Sequence, residues 1–174
     1  ASSSRRRRNS STVPAAATAA RPSAFSRSSS RCSASTCLDV REGRVLWARD
    51  LAAEYQASIN VWGVSAAPLV AGDLVIFQVG GQPAACLVAL DVRTGRERWR
   101  ALDGKASYSA PRPVRWGGRD AVLAWTANWL ACLEPATGKV RWKLPYRTSR
   151  MIINVADPVL DESRRQILLS SFYD

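Results

Sequence analysis

One eleven-residue pattern occurs three times in this 174-residue chain, and few architectures can accommodate it. The copies are Cys37-Leu38-Asp39-Val40-Arg41-Glu42-Gly43-Arg44-Val45-Leu46-Trp47, Ala89-Leu90-Asp91-Val92-Arg93-Thr94-Gly95-Arg96-Glu97-Arg98-Trp99 and Cys132-Leu133-Glu134-Pro135-Ala136-Thr137-Gly138-Lys139-Val140-Arg141-Trp142. Each reads small residue, Leu, acid, three variable positions, Gly, base, two variable positions, Trp. Successive copies start 52 and 43 residues apart. A supersecondary unit recurring at such a period signals a β-propeller or a solenoid.

Each fixed position has a structural use. Gly43, Gly95 and Gly138 fall where two strands meet, and a short hairpin loop commonly needs one residue at positive φ, which glycine adopts without steric cost. Asp39, Asp91 and Glu134 stand four residues earlier, where an acid can accept hydrogen bonds from loop amides. Glu134 is one methylene longer and precedes Pro135, so its capping is expected to differ. Three equivalent acids spaced around a ring cannot share one active site, so turn chemistry is expected of them. Trp47, Trp99 and Trp142 close the motif on an outer strand; each ring carries ~150–250 Å² that is best buried against a neighbouring unit. These nine residues are expected to be structural fasteners, and no catalytic, cofactor-binding or metal-binding residue is assigned.

Around the motifs, short β-type runs alternate with turn signals. Leu74 to Val79, broken by Gly80-Gly81-Gln82-Pro83, and Ala121 to Thr126 are nearly continuous apolar runs, which predicts strands buried on both faces. The opening strand of each unit carries proline (Pro68; Pro111 with Pro113; Pro158), which cannot donate to a ladder and so belongs at an edge, a strand start or a bulge. Four strands of ~4–8 residues per unit suit a propeller blade. Leu51 to Ser58 is the one stretch read as a turn or two of helix.

Composition separates the two ends of the chain. Seven arginines and no acid lie in residues 1–36, so most of the net charge of +11 resides there. An Arg/Ser/Ala-rich segment of this kind is expected to be a disordered leader, which makes the domains 1–36 and 37–174. It also has the composition of an organelle transit peptide, and Arg5 to Arg8 could attract phosphates without sequence preference. The one methionine is Met151 and the chain finishes within an apolar run, so a piece of a longer protein is expected; one 43-residue period on from Cys132 falls just past the last residue. Histidine is absent, which removes imidazole from every catalytic and metal scheme. Cys32, Cys37, Cys86 and Cys132 form no C-x-x-C pair, and Cys37 and Cys132, at the repeat position that Ala89 fills, read as small buried fillers rather than a disulfide. No run approaches the ~20 apolar residues of a membrane-spanning helix.

The motif resembles the tryptophan-docking repeat of the quinoprotein, or PQQ-binding-like, β-propeller family, and residues 37–174 resemble those propellers throughout. Trp62-Gly63-Val64-Ser65-Ala66-Ala67-Pro68-Leu69-Val70 and Tyr108-Ser109-Ala110-Pro111 are similar to the stretches that open blades in bacterial members. The resemblance implies an all-β fold, a partial β-propeller of two full four-stranded blades plus parts of two more. It also implies that Trp99 docks on Gly138 and Trp47 on Gly95. Family members divide between dehydrogenases that hold pyrroloquinoline quinone (PQQ) with calcium and catalytically silent scaffolds such as the outer-membrane assembly lipoprotein. The enzymes use an adjacent Cys-Cys pair, and no two cysteines adjoin here. The expectation is a non-enzymatic propeller repeat protein acting as a binding or assembly scaffold. The alternative is a fragment of a PQQ-dependent dehydrogenase oxidising alcohols or sugars, and PQQ and calcium belong to that alternative alone.

Protein or another ligand is expected on the loop faces, together with the remaining blades of the same propeller, and no specific nucleic acid. By resemblance the setting is periplasmic or otherwise extracytoplasmic. Outside the motif, Trp62, Trp116, Trp125 and Trp129 could floor a flat ligand or fill the space between blades, and Trp62 with Tyr108 precedes an innermost strand. Lys105, Arg147 and Arg150 lie in inter-blade connections, where they could form a basic rim or a solvated surface.

Overall fold

The computed structural model describes residues 34–60, 63–146 and 154–171. Most of the expected leader, with Arg5 to Arg8 and Cys32, lies outside the described residues, as do Trp62, Arg147 and Arg150. Twelve strands and one short helix follow in order: β1 Ala34–Leu38, β2 Val45–Asp50, α1 Leu51–Glu54, β3 Leu69–Ala71, β4 Leu74–Gly81, β5 Ala85–Asp91, β6 Glu97–Ala101, β7 Arg112–Trp116, β8 Arg119–Trp125, β9 Trp129–Leu133, β10 Val140–Pro145, β11 Val159–Asp161 and β12 Gln166–Leu168. They form two complete antiparallel meanders, β3-β4-β5-β6 and β7-β8-β9-β10, flanked by the pairs β1-β2 and β11-β12. This is a partial β-propeller: two four-stranded blades with half of one before them and half of another after.

Apolar runs without alternation become central strands because both of their faces are covered. On β4, Leu74 and Ile76 join one core with Leu87 and Ala89 of β5, and Val75 and Val79 join another with Val88 and Leu90. The first core is shared between the complete blades, since Val122 and Ala124 of β8 and Ala131 and Leu133 of β9 enter it from the other side. The opposite face of β8 and β9 puts Leu123, Trp125 and Leu130 against Ile167 and Leu169. Each inter-blade layer is therefore built by the period-2 alternation of two adjacent sheets.

The proline-bearing strand is the edge in the second complete blade: Pro113 lies on β7, which pairs only with β8. The predicted strand break at Gly80 arrives two residues later, because β4 runs on through Gly81. Both glycines stay in the strand through close packing: a Cβ on Gly80 would press on Ala106, and one on Gly81 would sit 2.5 Å from the Tyr55 Cβ. The helical turn at α1 is one turn long, started by the Asp50 carboxylate accepting the Ala53 amide at 3.1 Å. Its apolar side, Leu51 with Tyr55 beyond it, fills the layer between β2 and the first complete blade.

Candidate functional site

The three motif copies fold into the same hairpin. In each, the amide of the acid donates to the carbonyl of the base after the glycine (Asp39 to Arg44, Asp91 to Arg96, Glu134 to Lys139), and the glycine amide returns a bond to the carbonyl of the acid, all at 2.8–2.9 Å. Gly43, Gly95 and Gly138 take φ of +64°, +68° and +70°. A bulge follows at the same place in every copy, between Cys37 and Leu38, between Ala89 and Leu90, and opposite Arg141. The bulge brings Trp47, Trp99 and Trp142 directly across from Cys37, Ala89 and Cys132. A side chain opposite an indole in a packed layer must be small, which accounts for the first position of the pattern.

The acids hold the turns in two ways. Asp39 Oδ1 accepts the Arg41 and Glu42 amides at 2.9 and 3.2 Å. Asp91 Oδ1 accepts the Arg93 and Thr94 amides and the Thr94 hydroxyl at 2.9–3.1 Å, and these bonds, the Thr94 amide first, hold its carboxyl below the usual range. Glu134 reaches instead to the Thr137 hydroxyl at 2.8 Å, the different geometry its length and Pro135 impose.

Each of two indoles lies on the glycine of the next copy. A Cβ added to Gly95 would be 2.7 Å from Trp47 Cδ2, and one added to Gly138 would be 2.5 Å from Trp99 Cε3. Trp47 Nε1 donates to the Val92 carbonyl at 3.0 Å, and Trp99 Nε1 donates to the Pro135 carbonyl at 2.9 Å, so in both the acceptor directly follows the acid. Two positions stand apart from this pairing. Gly43 has nothing within 4 Å of where a Cβ would be, and Trp142 packs its ring on Trp116, centroids 5.1 Å apart, with Nε1 buried and without an acceptor among the described residues.

Other contacts at this junction carry no motif signature. Arg49 donates to the Gly95 carbonyl at 2.7 Å while its guanidinium pairs with Glu54, and that hydrogen-bonded pairing raises its pKa. Tyr55 donates to Glu97 at 2.6 Å, and burial, then this bond, pushes its phenol up to about 12. Between the complete blades, buried Gln78 donates to the Ser109 carbonyl at 2.9 Å and accepts the Ser107 amide, while the Ser107 hydroxyl donates to the Trp125 carbonyl at 2.5 Å. Side-chain amides satisfying main-chain groups of a neighbouring blade have no periodic pattern, which is why the sequence did not show them.

Among the described residues, the non-motif tryptophans Trp116, Trp125 and Trp129 pack against neighbouring groups. Trp125 is fully buried, edge-on to Tyr146 with centroids 5.1 Å apart. Trp129 donates to the Asp103 carbonyl at 3.0 Å beneath Lys143, whose ammonium is 4.2 Å from the ring centroid. The Tyr108 amide donates to the Asn154 carbonyl at 3.1 Å. Cys86 is buried, with its thiol raised to about 12 by desolvation, and Cys132 is raised for the same reason. Among the described residues no three Cys, Asp or Glu side chains gather in a way that could hold a metal ion, and no helix is long and apolar enough to cross a membrane. A groove of about 950 Å³ beside β3 and β7 is walled by four arginines and four carboxylates, with Arg115 3.5 Å from Asp120, so its charge favours neither sign.

The family model described as outer membrane protein assembly factor BamB matches residues 6–174, so the match begins within the arginine-rich segment. The crystal structure of BamB from Moraxella catarrhalis is similar over 76% of this chain and 39% of that one, with 19% identity and a TM-score of 0.52. A europium-containing methanol dehydrogenase is similar over 74% of this chain and 23% of its own, with 16% identity and a TM-score of 0.45. The chain thus spans well under half the length of either structure. No curated protein matches it.

Proposed function

The chain belongs to the family of the outer membrane protein assembly factor BamB, and from that premise we propose that it is a non-enzymatic propeller-repeat unit serving as a binding or assembly scaffold in an extracytoplasmic setting. One observation carries the reading: the fixed positions of the repeat are taken up by the fold. The acids hold hairpin amides or a hydroxyl, the glycines lie where a Cβ would strain the turn, and Trp47 and Trp99 fasten one blade to the next by ring contact and an indole hydrogen bond. Rigid blades of this kind present loops at their ends, and loops on a rigid scaffold are where binding residues concentrate. Protein or another ligand on the loop faces and further blades of the same propeller are the partners in this reading.

The described residues do not suit a quinone with calcium. No two cysteines adjoin, Cys37, Cys86 and Cys132 lie on β1, β5 and β9, and no carboxylate cluster accompanies them. The test is to incubate the complete protein with PQQ and calcium and record cofactor absorbance and alcohol- or sugar-driven dye reduction. The scaffold reading expects neither, and bound quinone with turnover would overturn it.

A further inference from the structure

Four loops outside the repeated motif meet at the junction of the two complete blades, and we propose that the cleft between them binds a small hydroxylated carboxylate of monosaccharide size, a sugar acid such as a hexuronate. Its wall comes from Gln56 and Ser58 after α1, Gln82 between β4 and β5, Gly104 and Lys105 between β6 and β7, and Asn128 between β8 and β9. This inference goes beyond the scaffold reading and does not depend on it.

Size, charge and polarity each narrow the occupant. The cavity measures about 330 Å³, near the lower end of the ~300–1,000 Å³ usual for small-molecule sites, so the ligand is one ring in size. Among the described residues no Asp or Glu lines it, and Lys105 supplies a cation that no ion pair or side-chain hydrogen bond engages there. Asp103, two residues before Lys105, is not in the wall, and its Oδ1 accepts the Ala84 amide at 2.9 Å. The cleft therefore favours a single negative charge. Three carboxamides and a hydroxyl make up most of the remaining lining, and Asn128 Oδ1 accepts the Lys105 amide at 3.1 Å, which leaves its Nδ2 as the free donor. A ligand bearing several hydroxyls matches such a mixture of donors and acceptors, whereas a bare aliphatic acid leaves the carboxamides unmatched.

The floor is fixed. Gly104, at φ +122°, is pressed so closely on Asn128 that a Cβ would lie 2.6 Å from its Oδ1, and a Cβ on Gly80 would lie 3.0 Å from that of Ala106. Of the four non-glycine residues at positive φ among the described residues, Gln56 is in the wall, and Ala84 and Leu102 are each two residues from it. Backbone strain of this kind collects at functional sites.

The test uses glucuronate, glucose and acetate as probes, with titration calorimetry for affinity and amide shift mapping for place. Glucuronate should bind saturably and shift the amides of Gly80, Gly104 and Asn128, with glucose and acetate at least about tenfold weaker. Lys105→Gln and Gln82→Ala, both at exposed side chains and so expected to keep the wild-type melting curve, should each weaken glucuronate; the lysine change should do so at least about tenfold, as loss of a charge-assisted bond requires. No saturable binding in the tens of millimolar overturns the proposal, as does unchanged affinity in Lys105→Gln. Acetate binding as well as glucuronate overturns the hydroxyl requirement, and glucose doing so overturns the charge requirement.

Discussion

Three glycines with the same backbone conformation and different surroundings allow the contribution of the tryptophan contact to be isolated. Gly43, Gly95 and Gly138 lie at φ +64°, +68° and +70° in hairpins with the same hydrogen bonds. Alanine at any of them costs the left-handed strain of an L-residue, ~1–2 kcal/mol. At Gly43 that is all, because nothing lies within 4 Å of the new Cβ. At Gly138 the methyl would stand 2.5 Å from Trp99 Cε3 and 2.7 Å from Cδ2, so the ring must lift, losing part of its burial and its 2.9 Å bond to Pro135. Trp99 is only 8% exposed; removing such a ring entirely, as in Trp99→Ala, costs ~3–5 kcal/mol and sets the ceiling. Gly138→Ala should therefore lose ~2–4 kcal/mol more than Gly43→Ala, with Gly95→Ala close to Gly138→Ala. Urea denaturation followed by tryptophan fluorescence and far-ultraviolet circular dichroism measures the difference, and the fluorescence of folded Gly138→Ala should shift to the red as the indole meets water. If Gly138→Ala and Gly43→Ala agree within about 0.5 kcal/mol, the size of an ordinary surface substitution, the rings contribute nothing to the junction and the argument fails.

Two further predictions concern titratable groups at the blade junctions. Burial, then the bond to Glu97, pushes the Tyr55 phenol up to about 12 from an ordinary 10.0. A folded value raised above the unfolded one gives stability that is complete below pH ~10 and is lost as pH climbs toward ~12, on the order of 3 kcal/mol. Tyr55→Phe should abolish that slope in urea midpoints measured across the window, and an unchanged slope would show that another group is responsible. For the thiols, iodoacetamide at pH 8 followed by peptide mapping should modify half-buried Cys37 well before Cys86, whose thiol burial pushes up to about 12; equal rates would contradict the buried position of β5.

The amino-acid sequence by itself determined the units and their joints. Hairpin, bulge and acid cap depend on residues within eleven positions of one another, so the pattern from Cys37 to Trp47 carries nearly all the information its turn needs, and the same holds twice more. The nearly continuous apolar runs within β4 and β8 likewise announced strands with two covered faces. Apart from the glycine partners of Trp47 and Trp99, which the family resemblance implied, what only the tertiary structure decided is who meets whom across a blade boundary. The acceptors for Trp47 and Trp99 are the main-chain carbonyls of Val92 and Pro135, and any residue type supplies a carbonyl. Arg49 on Gly95, Tyr55 on Glu97 and Gln78 on Ser107 join residues 29 to 46 positions apart. The cleft that gathers Gln56, Gln82, Lys105 and Asn128 draws on four loops outside the repeated motif. Periodicity fixes which face of its own strand a side chain takes, and only the stacking of one sheet on the next fixes what that face touches.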